Sequence, residues 1–403
     1  MPHFNYDLKR RALGVIVIGL GCGALHAQQP GAALTRDGLT APDALVASTL
    51  PRYLVSRSAS FVDWLLDGSM LIATRFGDTQ QIHRLRAPLG MREQLTWASG
   101  GIAAAAVRPY ASDALVYVAP LRGGEASQLS LQRLDDHAIS ALTDGSHRDE
   151  RPLWAHDGKR IAFASNRRNG IDVDIYVLDT GEPGATPRLV VGGAGNRWCA
   201  YDWSIDDKRL LLGRELPRGE LASAGGATPD SELFVAQVDS GEISAVGFAG
   251  TPSDEGSSRK NKKQPPSNRA ASALHVQEAQ FSTDGRGILL LTHATGTPAA
   301  AMAQFQRLAY IDFGGHDWRE LSSDAGHDVE HFDRSLDGRY VAYTINDAGA
   351  SRLMLIDQQR KLDLTIAALP AGIISRLKFD PSGKRLALTL ESVRAPRDVY
   401  VLE

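Results

Sequence analysis

The sequence predicts an all-β chain folded as a seven-bladed β-propeller of four-stranded blades. Three observations predict it. A phrase made of an aromatic residue, a short polar step, Asp-Gly and an apolar run recurs along the chain. A second phrase, an alternating run that often ends in an acidic residue, closes each unit. Most turn-to-turn intervals are about 45 residues, the length of a four-stranded blade.

The opening phrase stands at Trp64…Asp67-Gly68, Trp154…Asp157-Gly158, Phe281…Asp284-Gly285 and Ser335…Asp337-Gly338. Weaker copies are Pro109…Asp113, Trp203…Asp206-Asp207 and Phe379…Ser382-Gly383. Asp-Gly suits a tight hairpin, because Gly tolerates positive φ and Asp bonds its own backbone. The apolar runs that follow, such as "KRIAFAS" and "RYVAYTI", read as strands. The closing phrases are "QIHRLRA", "QLSLQRLD", "DIYVLD", "ELFVAQVD", "RLAYID", "RLMLID" and "DVYVLE". The long interval from Asp206 to Asp284 contains a polar, Pro-rich insertion at 250–270. Its basic residues Arg259, Lys260, Lys262 and Lys263 have no aromatics between them, so they read as a solvated loop. The propeller is expected over 58–403, preceded by a leader at 28–57.

Residues 1–27 read as a secretory signal peptide. Lys9, Arg10 and Arg11 form its basic region, Ala12 to Leu25 its short apolar region, and Ala27 its cleavage site. The apolar run is too short for a membrane span. Lipoprotein processing at Cys22 is the alternative. The expected location is therefore periplasmic or secreted. With Cys22 removed, Cys199 is the one remaining cysteine and reads as a small buried hydrophobe. Charged residues make up 23% and the net charge is −3, which argues against a nucleic-acid binder. No cofactor is expected.

The blades resemble, in order, the propeller of exported bacterial members of the prolyl oligopeptidase family of serine peptidases. "MLIATRFGDTQQIHRL" at 70–85 resembles their first blade. "LTDGSHRDERPLWAHDGKRIAFASNRRNGIDVDIYVLD" at 142–179 is similar to the third. "FSTDGRGILL" with "FQRLAYID", then "DVEHFDRSLDGRYVAYTINDAG", then "LPAGIISRLKFDPSGKRLALTLESVRAPRDVYVLE" are similar to the later ones. The blades are thus of the WD40-like, TolB-like type. The family joins this propeller to an α/β-hydrolase domain whose serine sits in G-x-S-x-G. That pattern is absent from this sequence; "DGSHRD" and "EGSSRK" come nearest. The resemblance implies a non-catalytic propeller that gates or binds peptides for a hydrolase domain, in cis or in trans. Serine peptidase activity would belong to that domain, and no catalytic residue is expected here. It also makes Glu125, in "RGGEASQL", a candidate for holding a peptide's amino terminus, although the Asn that the family places before the Glu is missing.

Two other roles are open. A TolB-like interaction scaffold would carry an α/β domain ahead of its blades, for which 28–57 is short. A carbohydrate-binding propeller would expose aromatics, yet these are only 7%, and Trp64, Trp154 and Trp203 fall at blade-core positions.

The remaining candidates lie in turns. Arg75, Thr79, Gln81 and His83 surround the first-blade turn and would meet a peptide or a facing domain, or satisfy the turn's own backbone. Arg167 and Arg168, beside Asn169, Asp172 and Asp174, would clamp a carboxylate or pair with these acids. His327 and His331, with His316 nearby, suggest a metal. In a strand they stand roughly 13 Å apart, so no metal site is expected. Asp144, Ser146 and His147 are adjacent in sequence but read as a turn, not a triad.

Overall fold

A strand buried on both faces must be apolar along its whole length, and the runs after each Asp-Gly turn are. The computed structural model describes residues 43–46, 48–49, 57–121, 126–182, 184–215, 231–248, 274–294, 303–323, 326–366 and 369–403. Residues 1–27, expected to be a signal peptide, with Cys22, most of the expected leader, Glu125 and the 250–270 insertion lie outside the described residues. The chain forms two compact units, Met1–Val55 and Ser56–Glu403. In the first, residues 44–46 and 48–49 are helical, and the Asp43 carboxylate caps them by accepting the Leu45 amide at 2.7 Å.

The second unit is a succession of antiparallel meanders. The first blade comprises β1 (Ala59–Trp64), β2 (Met70–Thr74), β3 (Gln81–Leu85) and β4 (Arg92–Gln94). The second comprises β5 (Ala104–Val107), β6 (Ala114–Pro120), β7 (Ser127–Arg133) and β8 (Ile139–Ala141). The third comprises β9 (Asp149–Trp154), β10 (Arg160–Ser165), β11 (Asp174–Asp179) and β12 (Arg188–Val191). The fourth comprises β13 (Trp198–Trp203), β14 (Arg209–Glu215), β15 (Ser231–Gln237) and β16 (Ile243–Ala245). The fifth comprises β17 (Val276–Phe281), β18 (Gly287–Thr292), β19 (Arg307–Asp312) and β20 (Trp318–Glu320). The sixth comprises β21 (Val329–Arg334), β22 (Tyr340–Asp347), β23 (Ala350–Asp357) and β24 (Leu362–Leu364). The seventh comprises β25 (Ile373–Phe379), β26 (Leu386–Ser392) and β27 (Ala395–Leu402). Strands pair in chain order within each blade, and one bridge, Ser231 to Val276, links the fourth blade to the fifth. The expected propeller is thus the fold observed.

The Asp-Gly turns close as read. Gly158 donates its amide to the Ala155 carbonyl at 3.0 Å and takes φ +67, and Gly68, Gly285, Gly338 and Gly383 repeat the left-handed conformation. In the fourth blade Asp207 takes this place at φ +54. Its carboxylate accepts the backbone amides of His156 and Asp157 in the third blade, both at 2.8 Å, and lies 3.0 Å from His156 Nδ1.

Core sits between blades. Val116, Val118 and Leu129 of the second blade pack on Trp154, Ile161 and Phe163 of the third. Each such side chain contributes about 1.5–3 kcal/mol when fully buried. A polar clasp repeats at these joints. The Trp154 indole N–H donates to Ala106 O at 3.1 Å, that of Trp203 to Leu153 O at 3.1 Å, and that of Trp64 to Lys378 O at 3.0 Å. Arg160 and Arg385, from the neighbouring blade, lie over Trp203 and Trp64, 5.4 and 4.6 Å from the ring centres.

The bond from Trp64 to Lys378 joins the first blade to the last, so the ring closes. Phe61 N–H donates to Thr389 Oγ1 at 2.9 Å, and Phe61, Trp64 and Met70 pack with Ala387. Cys199 is buried in β13, its thiol 3.6 Å from Gly213 O, and burial raises its pKa.

Candidate functional site

The first strand of each blade lines the centre of the ring, and its last residues reach one mouth of the channel. There a cavity of about 360 Å³ draws its walls from all seven blades. The residue before the aromatic of the repeat phrase points into it: Asp63, Leu153, Asp202, Gln280, Asp333 and Lys378.

The three aspartates do the same structural work. Asp63 Oδ2 accepts the Val107 amide of the next blade at 3.0 Å, Asp202 Oδ2 that of Phe281 at 2.9 Å, and Asp333 Oδ2 that of Phe379 at 2.8 Å. The other oxygens of Asp63 and Asp333 meet polar side chains: Lys378 Nζ is 2.7 Å from Asp63 Oδ1, and Gln280 Nε2 donates to Asp333 Oδ1 at 3.2 Å. Asp202 Oδ1 accepts the Trp203 amide at 3.0 Å, and Arg334 Nη2 lies 3.9 Å from the same Oδ2 that accepts Phe281.

Burial in the ring raises the carboxyl pKa of Asp202 and of Asp333. Glu278, further along β17, is pushed up to about 8 by burial and then by the Asp333 charge, against the pull of the Phe332 amide and Arg376.

Around this throat runs a collar of turn-tip residues. Leu66, Ile205 and Leu336 are exposed at equivalent positions of three blades, and Tyr110 is exposed one residue further along the second-blade turn, where turns are ordinarily polar. The mouth therefore presents an apolar rim over a wall carrying both signs of charge. That suits an extended chain with apolar side chains and polar backbone. Ser112 Oγ accepts the Leu66 amide at 3.0 Å and His156 is engaged by Asp207, so these two lining residues form no nucleophile–base pair.

The turn residues singled out from sequence lie at the other end of the blades. Gln81 uses both ends of its amide: Nε2 donates to Thr79 Oγ1 at 2.9 Å and Ala98 O at 2.8 Å, and Oε1 accepts from Thr96 Oγ1 at 2.9 Å and from the Ala98 amide at 3.1 Å. His83 is buried, its Nδ1 3.2 Å from Gln81 O and its ring edge-on to Phe76. Burial, with Arg92 nearby, lowers its pKa. Arg75 sits in the connection between β2 and β3. Arg167 reaches buried Asp149 at 2.9 Å and lies over Phe163 and Tyr176. Arg168 binds Asp174 at 2.6 Å and Asp172 at 2.9 Å. The third-blade charges thus pair with one another. His331 lies in β21 with its pKa lowered by burial, whereas His327 precedes that strand, 3.7 Å from Asp347. Among the described residues no group of acids, histidines and cysteines has the arrangement of a metal site.

Sequence reasoning passed over the aspartate column. The signal was present as the residue before the aromatic position in "FVDW", "AYDW" and "HFDR".

No protein-family model matches the sequence, and no curated protein matches it. Solved structures do. A prolyl endopeptidase, from a study of inter-domain dynamics in catalysis and specificity, superposes with a TM-score of 0.60 at 13% identity, covering 86% of this chain and 48% of that one. The β-propeller domain of the Trilobed protease from Pyrococcus furiosus, described as having an open velcro topology, gives 0.57 at 9% identity over 86% and 96%. An oligogalacturonate lyase in complex with manganese gives 0.60 at 12% identity over 86% and 89%. This chain therefore has the propeller fold found in such peptidases, and it spans about half the length of the prolyl endopeptidase.

Proposed function

We propose that this chain is an exported, non-catalytic propeller that gates or binds short peptides for an α/β-hydrolase of the prolyl oligopeptidase kind, in the same polypeptide or a separate one. The observation that carries this reading is the channel mouth, where seven blades build one small cavity with an apolar collar and a charged throat. A cavity of about 360 Å³ takes a few residues of extended chain and no folded domain, so it would select by size through geometry alone. The fold shared with peptidase propellers supports the reading; the lyase with the same fold is the reason the site, and not the fold, has to carry it. The opposite face, with Arg75 and Arg167, is the candidate hydrolase-facing side.

The test is fluorescence anisotropy with a labelled, proline-containing octapeptide, free or displayed within a folded domain. Saturable binding of the free peptide alone is expected, weakened at least about tenfold by Gln280→Trp, which fills the throat. Equal binding of both forms, or indifference to Gln280→Trp, overturns the reading.

A further inference from the structure

On the first strands of the blades, the acids are engaged and two of the bases are not. Asp63, Asp202 and Asp333 each accept a backbone amide of the next blade. Asp149 binds Arg167, and Glu150 binds Arg148. Glu330 accepts from Asn346 Nδ2 at 2.8 Å and from Ser351 Oγ at 3.3 Å. Glu278 accepts the Phe332 amide and, with its pKa pushed up to about 8, is neutral at pH 7. Among the bases, Lys378 and Arg334 stand beside Asp63 and Asp202. Arg151 and Arg376 remain. Both are exposed, and among the described residues neither guanidinium is bonded to a carboxylate.

Arg376 stands two residues before Lys378, in unbroken register with β26, so it points the same way one step deeper in the channel. Glu278 and His331 stand two residues before Gln280 and Asp333, also in unbroken register. Three consecutive blades thus set Glu278, His331 and Arg376 at one level below the mouth. The Arg376 charge reaches Glu278 across this level. Burial lowers the pKa of His331, so Arg376 is the one permanent charge of the three. On the opposite side of the ring, Arg151 takes φ +51 at the irregular step of β9, and its charge acts on Tyr201 of the next blade. Such steps re-aim a side chain.

We propose that this level is a carboxylate subsite, where the C-terminal carboxylate of a peptide that enters at the mouth is held between Arg376 and Glu278, with Arg151 adding positive potential. The proposal rests on the reading of the mouth as a peptide entrance. A small mouth admits a chain end first, and that end carries either an ammonium or a carboxylate. The acids that would hold an ammonium are already engaged, so the carboxylate is the end that finds an open partner. A guanidinium receives it through two parallel N–H donors, and a neutral carboxyl adds an O–H donor where an ionised one would repel. The titratable and charged groups around Glu278 are Asp333 and His331 on β21, Arg376 on β25, and Asp202 and Tyr201 on β13, which bond the Phe281 amide and the Val276 carbonyl of its own strand. Raising the pH through about 8 ionises Glu278 and weakens the site.

The probes are octapeptides without Asp or Glu, labelled with tetramethylrhodamine at the amino terminus and ending in a free carboxylate or an amide. With the full chain at pH 7, anisotropy should show the free acid binding at least about tenfold more tightly than the amide. Arg376→Gln should erase this difference by weakening the free acid alone, and Arg376→Lys should restore part of it. Between pH 7 and pH 9 the free acid should lose affinity, and Glu278→Gln should remove that dependence. An amidated peptide ending in Asp, the other source of a carboxylate, should bind as the amide does; if it matches the free acid, the assignment to the chain terminus is overturned. Equal, saturable binding of acid and amide overturns the subsite and leaves the peptide entrance standing, whereas no saturable binding of either overturns both. The comparison of acid with amide needs no variant, so it decides the matter even if Arg376→Gln fails to fold.

Discussion

Asp207 occupies a turn position that five other blades give to glycine, at φ +54. The left-handed conformation costs a non-glycine residue about 1–2 kcal/mol. The carboxylate offsets this by accepting two amides of the third blade and the His156 ring. Asp207→Gly should therefore destabilise by about 1–3 kcal/mol in denaturant titration, although it relieves the backbone. A stabilised variant would show that the bonds contribute less than the strain. Glu278 gives a second prediction. Its pKa of about 8 in the folded protein exceeds the ordinary 4.5, so the folded state holds its proton where the unfolded state loses it. Stability should then fall as pH rises across that window, by up to about 1.4 kcal/mol per unit. Glu278→Gln should flatten the slope of melting temperature against pH, and an unchanged slope would refute the assignment. Neither residue's role was legible in sequence. Glu278 sits in an ordinary strand pattern, and its environment is set by Asp333 and Arg376 from blades that are distant in the chain.

The second and third strands could be read from the sequence because burial demands continuous or alternating apolar residues, as in β10 and β18. The fourth strands could not. β4, β8 and β20 are three residues long, "REQ", "ISA" and "WRE", with no fully buried position and so no periodicity to detect. The tryptophans of the repeat phrase were legible as core, but not as donors to the preceding blade, since that bond depends on how blades are arranged around the ring. The joint between first and last blades is the most distant of these in sequence. Asp63 holds it with Lys378 on one side and the Val107 amide on the other. Asp63→Ala leaves that amide without its acceptor and should cost about 2–3 kcal/mol. Lys378→Met, which removes a half-exposed partner, should cost less. Equal losses in the two variants, measured by chemical denaturation, would contradict this division.

For the whole molecule, the number of blades and their order followed from the spacing of the Asp-Gly turns, because each blade is a local meander. The candidate site did not follow, because it exists only where seven first strands meet. Residues chosen from turns, such as Arg168 and Gln81, proved to be engaged by their own neighbours. The channel-lining aspartates were passed over because each alone looks like a routine strand residue. The central claim is that short peptides are received at this mouth. A benzophenone-bearing octapeptide, photo-crosslinked to the full chain and mapped by mass spectrometry, tests it most directly. The account predicts crosslinks concentrated at the collar and throat, on Leu66, Tyr110, Leu336 and their neighbours, and suppressed by excess unlabelled peptide. Crosslinks spread over the surface, or confined to the opposite face around Arg75 and Arg167, would contradict it.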